Sequence, residues 1–362
     1  MPYEPIQQLD VENYGCIQKA SFALSPLHAF IGPNDSGKST TLRALRTVAQ
    51  FATENFGPDP ATPRPFDPLI QVRANATVLR IGYSDGISYG VGISGDTYRV
   101  HERVHAENAE GSAVRDFGRP GILKEPTLSG PIMDAVRALR SFITPATMVR
   151  FDPNALRRQA RQLLAKEPIQ FIDETGMGLA SVYQAINSRD VDAFVAIRDK
   201  VKTLFPTVQN ILVPSVEGSA VVLQARLADS TLVPAKALGE GLLYFLGYVA
   251  LQYLAESKLF LVEEPENGLH PARIAEVMSI LREISKTSQV IIATHSPLVV
   301  NELQGHEVSI VTRDPAKGTQ VKLLKDVPGF EEASKVYQPG EFWVSYCDGN
   351  QEEPLITGKP RP

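Results

Sequence analysis

The chain has 362 residues, of which 43% are hydrophobic and 21% charged, and its net charge is −5. This composition is typical of a globular protein with ample material for a core, so it excludes wholesale disorder. The negative net charge does not indicate an overall basic nucleic-acid-binding protein. Net charge does not reveal a basic stripe on one face, however, so DNA remains a candidate partner.

The cysteines and the N-terminus indicate the compartment. Cys16 and Cys347 form neither a CxxC pair nor a Cys/His quartet, so we expect no disulfide framework and no zinc site. The first ten residues lack the basic start and apolar run of a signal peptide. Residues 241–255 are apolar nearly all round but too few to cross a bilayer, which predicts a buried helix and no membrane partner. We therefore expect a cytoplasmic protein.

The first third of the chain predicts strands around a glycine-rich loop. An apolar strand at residues 29–31 leads into the loop, and residues 38–51 carry apolar side chains at helical spacing directly after it. Residues 72–104 show short, partly alternating apolar runs separated by hairpin signals. We expect an antiparallel sheet there.

The middle third predicts helices, because residues 131–142, 153–165 and 191–204 carry helical periodicity. The last third alternates short apolar runs with one long amphipathic helix that begins at Pro271. This alternation predicts a parallel sheet.

Residues 32–40, GPNDSGKST, fit the pattern G-x-x-x-x-G-K-[ST] between a predicted strand and a predicted helix. In such a loop the glycines let backbone N–H groups turn toward phosphate oxygens, and the helix N-terminus adds a favourable partial charge. The lysine reaches the β- and γ-phosphates, and the hydroxyl after it ligates magnesium. The predicted nucleotide-binding residues are Gly32, Asn34, Asp35, Ser36, Gly37, Lys38, Ser39 and Thr40.

A second feature is the apolar run from Leu259 that ends in two adjacent carboxylates, Glu263 and Glu264. Because successive side chains of a strand point to opposite faces, the two carboxylates should have different roles. We expect Glu263 to help Ser39 hold hydrated Mg²⁺, and Glu264 to polarise the attacking water. Taken alone, the pair fits solvated surface charge equally well.

A third feature is His295, which directly follows an apolar run from Gln289. A neutral imidazole can both donate and accept a hydrogen bond, which suits contact with a γ-phosphate or the attacking water. In isolation this histidine would be assigned a structural role. Because the chain also carries Glu263 and Glu264 at the end of a predicted strand, we predict that His295 is a catalytic residue that senses the γ-phosphate.

The three motifs GPNDSGKST, LFLVEEPENGLHP and QVIIATHSP resemble, in this order, the Walker A, Walker B with D-loop, and switch-histidine motifs of ABC-type ATPase heads. Within that class the chain is most similar to soluble AAA-family proteins related to the overcoming-lysogenization-defect (OLD), RecF and SMC ATPases. The resemblance covers most of residues 6–312. It implies ATP as the nucleotide and an α/β P-loop fold, in which a mixed parallel core sheet is joined by an antiparallel β subdomain and a helical lobe.

The resemblance also implies a domain order. Residues 1–130 would form the N-terminal part of the head with the Walker A loop and the antiparallel subdomain, and residues 131–210 the helical lobe. Residues 211–326 would form the C-terminal part with the signature, Walker B and switch motifs. Residues 327–362 would be a tail.

Heads of this class pair head to tail, and a signature loop from one closes on the nucleotide of the other, which implies a homodimer through the nucleotide site. The matching segment here assigns Gly239 and Gly241 to nucleotide contact. Relatives usually carry a serine where Gly239 stands, and Glu240 adds negative charge that opposes phosphate. Glu263 replaces the more common aspartate, and we find no Q-loop glutamine. Slow hydrolysis is therefore expected.

We expect a switch ATPase that drives a DNA-related or phage-defence partner, either DNA itself or a separate effector protein. The alternative is a nucleotide-gated scaffold that holds a separate effector and scarcely hydrolyses. Members of the OLD group carry a nuclease (TOPRIM) domain in the same chain. The residues after His295 hold no DxD cluster, so we do not expect a nuclease in this chain.

Other residues with suggestive chemistry have simpler interpretations. His101 and His105 lack a third metal ligand nearby and are expected to be solvated strand residues. Tyr244 and Tyr248 are expected in the core rather than on a stacking platform. Tyr14 is a candidate to pack against the nucleotide base.

Overall fold

The structure is a computed structural model that describes residues 3–53, 77–93, 100–107, 109–115, 122–124, 131–143, 145–254, 257–314 and 318–346. Its strands, in chain order, are β1 (Gln8–Tyr14), β2 (Ile17–Ala23), β3 (Leu27–Ile31), β4 (Thr77–Gly82), β5 (Ser88–Ile93), β6 (Val100–Ala106), β7 (Ala109–Arg115), β8 (Ala146–Val149), β9 (Ala160–Arg161), β10 (Val208–Leu212), β11 (Ser215–Val216), β12 (Ala220–Val221), β13 (Gln224–Leu227), β14 (Leu232–Pro234), β15 (Leu259–Glu263), β16 (Gln289–Thr294), β17 (Val308–Asp314) and β18 (Gly318–Leu323). Its α-helices are α1 (Lys38–Thr53), α2 (Pro131–Phe142), α3 (Pro153–Leu156), α4 (Leu179–Arg189), α5 (Val191–Leu204), α6 (Glu240–Ala250), α7 (Pro271–Ile284), α8 (Pro297–Asn301), α9 (Phe330–Ala333) and α10 (Pro339–Tyr346).

The described residues form two compact units. The first unit draws on residues 1–147, 258–264 and 285–362, and the second on residues 148–257 and 265–284. The segment that follows β15 therefore passes from the first unit to the second, and the chain returns to the first unit after α7.

The first unit is built on a core sheet with the strand order β18-β17-β3-β16-β15, continued at its edge by the strand that begins at Ala146. β17, β3, β16 and β15 run parallel, and β18 is antiparallel to β17. Every residue of β3, β15 and β16 is buried, which explains their unbroken apolar runs. α1 packs against this sheet through its apolar stripe. The predicted parallel sheet and the helix after the glycine loop are confirmed.

A second sheet in the same unit has the strand order β2-β1-β4-β5-β6-β7 and is antiparallel throughout. Within the described residues, it confirms the antiparallel sheet predicted for residues 72–104. Buried and less buried residues alternate along β4 and β5, as expected for a sheet with one face on a core. The predicted helix at residues 131–142 is α2, which packs on β6 and β7.

The second unit is mainly helical, with two small sheets of order β10-β13-β14 and β11-β12-β9. Its central helix is α6, in which every residue from Leu242 to Ala250 is buried. This confirms the buried helix predicted at residues 241–255, although the α-helix gives way to a 3-10 turn after Ala250. The Tyr183 hydroxyl donates to the Leu246 carbonyl (2.9 Å) and so ties α4 to α6.

One helix prediction in this unit was wrong, and one helix was not predicted. The helix predicted for residues 153–165 ends at Leu156, and residues 160–161 pair with β12 instead. The apolar spacing there did not mark a buried face, since Leu164 is 67% exposed. Conversely, α4 was not predicted, because Gly178 indicated a gap in the helical pattern. This glycine instead caps the start of α4 with a left-handed φ of 99°.

None of the described helices is long and apolar enough to span a bilayer.

Candidate nucleotide site

Three parallel strands of the core sheet end at one edge. Ile31 of β3 pairs with Thr294 of β16, and Ala293 of β16 pairs with Glu263 of β15. The residues that leave these three strand ends are Gly32, His295 and Glu264. Ligands of open α/β sheets bind at this carboxyl edge. The topology therefore brings the three sequence motifs together.

The glycine loop is shaped by steric limits. A Cβ atom on Gly32 would collide with the carbonyl oxygen of Val311 in β17, so no larger residue fits there. Gly37 has a φ of 110° and Asp35 a φ of 64°, both in the region that L side chains rarely adopt. Backbone turns of this kind bring successive N–H groups into a concave anion-binding arrangement.

Lys38 begins α1 and is 9% exposed. Its ammonium donates to the carbonyl oxygens of Gly32 (2.6 Å) and Pro33 (2.7 Å), so it lies against the backbone of the glycine loop. Ser39 is exposed at the N-terminus of the helix, and Asn34 is exposed at the loop tip. The charged amine and the exposed hydroxyl thus occupy the same loop–helix junction.

The donors of this junction fit a polyphosphate with magnesium. Ser36 is 1% exposed, and its hydroxyl has no hydrogen-bond partner among the described residues. A buried polar atom of this kind is costly unless a ligand satisfies it. The first-turn amides of α1 have no carbonyl partner within the helix. The Ser39 hydroxyl and the Glu263 carboxylate are oxygen donors of the kind that Mg²⁺ prefers.

Glu263 and Glu264 lie in different environments, as the sequence predicted. The cause differs from the predicted one, because Glu264 lies beyond the end of the strand and its side chain does not follow the strand's alternation. Glu263 is the last residue of β15 and is 4% exposed. Glu264 leaves the strand with a left-handed φ of 47°, and its N–H donates to the carbonyl of Ala293 (2.8 Å). Its carboxylate Oε1 lies 3.5 Å from Nδ1 of His295. The side chain of Glu264 is 30% exposed and that of His295 53%, so both are open to a substrate.

Thr319 of β18 belongs to this site, but the sequence did not predict it. Its side chain is 2% exposed, and its hydroxyl donates to the carbonyl of Ser36 (3.3 Å). The same hydroxyl lies 3.2 Å from the position that a Cβ of Gly37 would take. Thr319 is 283 residues from Ser36 in the chain, so no local sequence pattern connects them.

A cavity of about 430 Å³ borders the loop, and Cys16, Asn34 and Arg313 are among the residues that line it. The Cys16 thiol lies 3.4 Å from the Thr40 hydroxyl. Tyr14 is fully buried, and its hydroxyl lies 2.9 Å from that of Thr47 in α1. The prediction that Tyr14 packs against the base was therefore wrong, because its ring is sealed beneath the helix.

The segment predicted to be the signature loop lies in the second unit at the start of α6. Gly239 is the N-cap of this helix, with φ −62° and ψ 140°, and a Cβ there would meet no heavy atom within 4 Å. Glu240 is exposed, and a Cβ on Gly241 would lie 3.9 Å from the carbonyl oxygen of Gly268. Gly268, in the D-loop segment, packs so closely on Tyr244 that a Cβ would collide with its ring. The signature loop and the D-loop segment thus form one surface of the second unit.

His101 and His105 lie on β6, with His105 exposed, as the solvated interpretation expected. Over the described ranges, no group of three or more His, Cys, Asp or Glu side chains is placed to hold a metal ion. A magnesium site made of one hydroxyl, one carboxylate and phosphate oxygens does not need such a group.

Two family models match the chain. The model described as "AAA ATPase domain" matches residues 5–79, which include the glycine loop. The model described as "AAA domain, putative AbiEii toxin, Type IV TA system" matches residues 133–301, which include the signature segment, Glu264 and His295. Both models are ATPase domains, and together they cover each of the three motifs.

One curated relative and two solved structures are similar along most of the chain. The Old nuclease of Escherichia phage P2 is 22% identical in an alignment that covers 98% of this chain and 68% of that protein. The Smc head bound to the C-winged helix domain of ScpA has a TM-score of 0.55 at 15% identity, covering 90% of this chain and 99% of that one. The Smc head with an extended coiled coil, bound to the C-terminal domain of ScpA from Pyrococcus furiosus, has a TM-score of 0.50 at 13% identity, covering 93% and 98%. At these identities the structures show a shared fold, and the predicted P-loop α/β class is confirmed.

Proposed function

We propose that this chain is an AAA-type P-loop ATPase head, related to the OLD and SMC heads, that binds and hydrolyses ATP and uses that cycle to close and open a homodimer. The observation that supports this most strongly is the convergence of the glycine loop, Glu264 and His295 at one edge of the core sheet. In this proposal the glycine loop is the phosphate site, and the Glu264–His295 pair is the hydrolytic centre.

Each residue has a role that follows from its position. The loop amides and the Lys38 ammonium bind the phosphates, and Lys38 exchanges its bonds to the loop carbonyls for bonds to phosphate oxygens. Glu264, with a partly exposed carboxylate, accepts a proton from the attacking water. His295 donates its N–H to the γ-phosphate. Gly239 and Gly241 offer backbone N–H groups to the nucleotide of the second head.

Ser39 and Glu263 would hold Mg²⁺. The ion, when bound, neutralises negative charge on the β- and γ-phosphates. Glu263 is nearly buried at the end of β15, so its carboxylate is held in a fixed position for that task.

We propose that the output passes to DNA or to a separate effector protein, in the cytoplasm. The similar proteins support a partner of this kind: the phage P2 relative is named a nuclease, one family model refers to a toxin of a type IV system, and both solved Smc heads are bound to a ScpA domain. We assign a phage-defence or DNA-related role on this basis.

A second candidate function is a nucleotide-gated scaffold that scarcely hydrolyses. The observation that favours it is the signature loop, where Gly239 offers no side chain and Glu240 presents an exposed carboxylate. The lifetime of the ATP-bound dimer separates the two functions. A switch loses its dimer as ATP is consumed while Glu264→Gln keeps it, whereas a scaffold keeps the dimer equally long in both proteins.

Binding and assembly test the proposed switch directly. Calorimetry should detect ATP binding that needs Mg²⁺ and is lost in Lys38→Ala, whose folding is checked by thermal unfolding. Size-exclusion chromatography of Glu264→Gln should show a monomer without nucleotide and a dimer with ATP and Mg²⁺. Nucleotide binding that survives Lys38→Ala, or a Glu264→Gln protein that stays monomeric, would refute the proposal.

A further inference from the structure

Arg157 lies beside the signature loop in the second unit. It directly follows α3, and its guanidinium donates to Oδ1 of Asn154 (3.2 Å) and to the carbonyl oxygen of Leu238 (3.4 Å). Leu238 immediately precedes Gly239, so the guanidinium is attached to the loop that begins α6.

The charge of Arg157 is not balanced by a close carboxylate. Both of its hydrogen-bond acceptors are neutral oxygens, and no acidic side chain in the described ranges forms an ion pair with it. Its Nε atom is buried and has no hydrogen-bond partner among the described residues. A partly buried guanidinium is normally paired, because removing a charge from water is costly. Arg157 thus carries a charge for which the described residues provide no ion-pair partner.

The surroundings of Tyr244 place Arg157 and Glu240 in the same small region. The pKa of Tyr244 is raised first by burial and then by the carboxylates of Glu240 and Asp152, and it is lowered by Arg157. Arg157 therefore lies in the same region as the carboxylates of Glu240 and Asp152, although it forms no ion pair with either. A Cβ on Gly239 would meet no heavy atom within 4 Å, so the space directly at Gly239 is open.

We propose that Arg157 supplies the phosphate-binding positive charge that the signature loop lacks, and that it acts on the triphosphate held by the other head of the dimer. This inference rests on the proposed ATP-driven dimer. It assigns to one arginine the stabilisation of the γ-phosphate that the missing serine hydroxyl would otherwise provide.

Three substitutions separate charge from hydrogen bonding. Arg157→Gln removes the charge and keeps only a shorter amide donor, and we expect it to lower steady-state phosphate release by about 100-fold, as does Arg157→Ala. Arg157→Lys keeps the charge and should retain clearly more activity than Arg157→Gln. ATP affinity of the monomer should stay within about twofold of wild type in all three, because Arg157 does not bind its own head's nucleotide. Near-wild-type release by Arg157→Gln would mean that Arg157 only positions the loop.

Mixing two inactive proteins tests whether Arg157 acts across the dimer. Before ATP is added, Glu264→Gln is mixed with Arg157→Gln, two proteins that keep the nucleotide loop and therefore both enter the ATP-bound dimer. In a mixed dimer, one site combines an intact Glu264 with an intact Arg157, and the other carries both defects. Since half of the dimers in an equal mixture are mixed, phosphate release should recover to about a quarter of the wild-type rate. The matched control mixes Glu264→Gln with His295→Ala, whose substituted residues belong to the same head's site, and should stay inactive.

The outcomes distinguish this inference from the function on which it rests. Recovery in the first mixture and none in the control supports Arg157 acting in trans. If neither mixture recovers while wild type hydrolyses ATP and dimerises, the assignment of Arg157 is overturned but the proposed function stands. A wild-type protein that neither dimerises with ATP nor releases phosphate overturns the proposed function, and the Arg157 assignment with it.

Discussion

His295 Nδ1 lies 3.5 Å from Glu264 Oε1, although the two residues follow different strands and are 31 positions apart. Glu264 reaches this place through a left-handed φ of 47°, with its N–H bonded to Ala293. A residue other than glycine held in this region costs on the order of 1–3 kcal/mol. The strained backbone therefore lies at Glu264, the residue that we propose activates the attacking water. This strain lowers stability, so we infer that function maintains it.

The strain at Glu264 predicts a gain in stability when its side chain is removed. Glu264→Gly should raise the free energy of unfolding by about 1 kcal/mol in urea denaturation, while phosphate release falls to background. The matched control is Glu263→Gly at the buried end of β15, which should lower stability. A Glu264→Gly protein less stable than wild type would show that the backbone there is not strained.

The contact between Thr319 and the glycine loop predicts an effect on nucleotide affinity. Thr319→Val removes the hydroxyl that donates to the Ser36 carbonyl, and it should weaken ATP binding by about 2- to 10-fold, as expected for one hydrogen bond. Turnover at saturating ATP should change little. Thr319→Ser keeps the donor and should bind ATP like wild type in calorimetry. Equal affinity of the valine and serine variants would remove Thr319 from the site.

The open space at Gly239 predicts that a signature serine can be restored. With φ −62° and no neighbour within 4 Å, the position accepts a side chain without a clash. Gly239→Ser should stabilise the start of α6 by a few tenths of a kcal/mol, because serine is a good N-cap residue. It should also accelerate ATP hydrolysis by about 10-fold, because it adds a hydroxyl near the γ-phosphate. Gly239→Ala, which adds only a methyl group, should not accelerate it. A serine variant no faster than the alanine variant would exclude this segment from the nucleotide contact.

His28 of β3 predicts how stability depends on pH. Burial lowers the pKa of this fully buried imidazole to about 3, with Ser25 and Ser309 hydroxyls near its two ring nitrogens. Between about pH 6.5 and pH 3, this histidine is protonated in the unfolded state but not in the folded state. The free energy of unfolding therefore falls as the pH drops through this window, by up to about 1.4 kcal/mol per pH unit. In His28→Gln, the loss of unfolding free energy from pH 7 to pH 5 should be about 2 kcal/mol smaller than in wild type. Identical losses in the two proteins would contradict this.

The sequence predicted those parts of the site whose residues are consecutive. The glycine loop, the acidic strand end and His295 each follow a buried strand, and strand order alone then brings them to one edge. Thr319 was not predicted, and neither was the role that we propose for Arg157, because each side chain bonds to a backbone carbonyl that is distant in the chain. The left-handed turn at Glu264 was also missed, since glutamate carries no preference for that conformation.

The wrong helix at residues 153–165 has a similar cause. Apolar spacing predicts a helix only if tertiary packing covers the apolar face, and Leu164 remains exposed while residues 160–161 join a sheet. Local pattern and packing agreed in α1 and α7, where the apolar stripes are buried.

Steady-state phosphate release tests the central claim most directly, that Glu264 and His295 hydrolyse ATP bound by the glycine loop. We predict slow but measurable release by wild type that depends on Mg²⁺, with rates at least about 100-fold lower for Glu264→Gln and His295→Ala, and with ATP binding retained in both. Release by Glu264→Gln at the wild-type rate, or a wild-type rate no higher than background, would contradict the account.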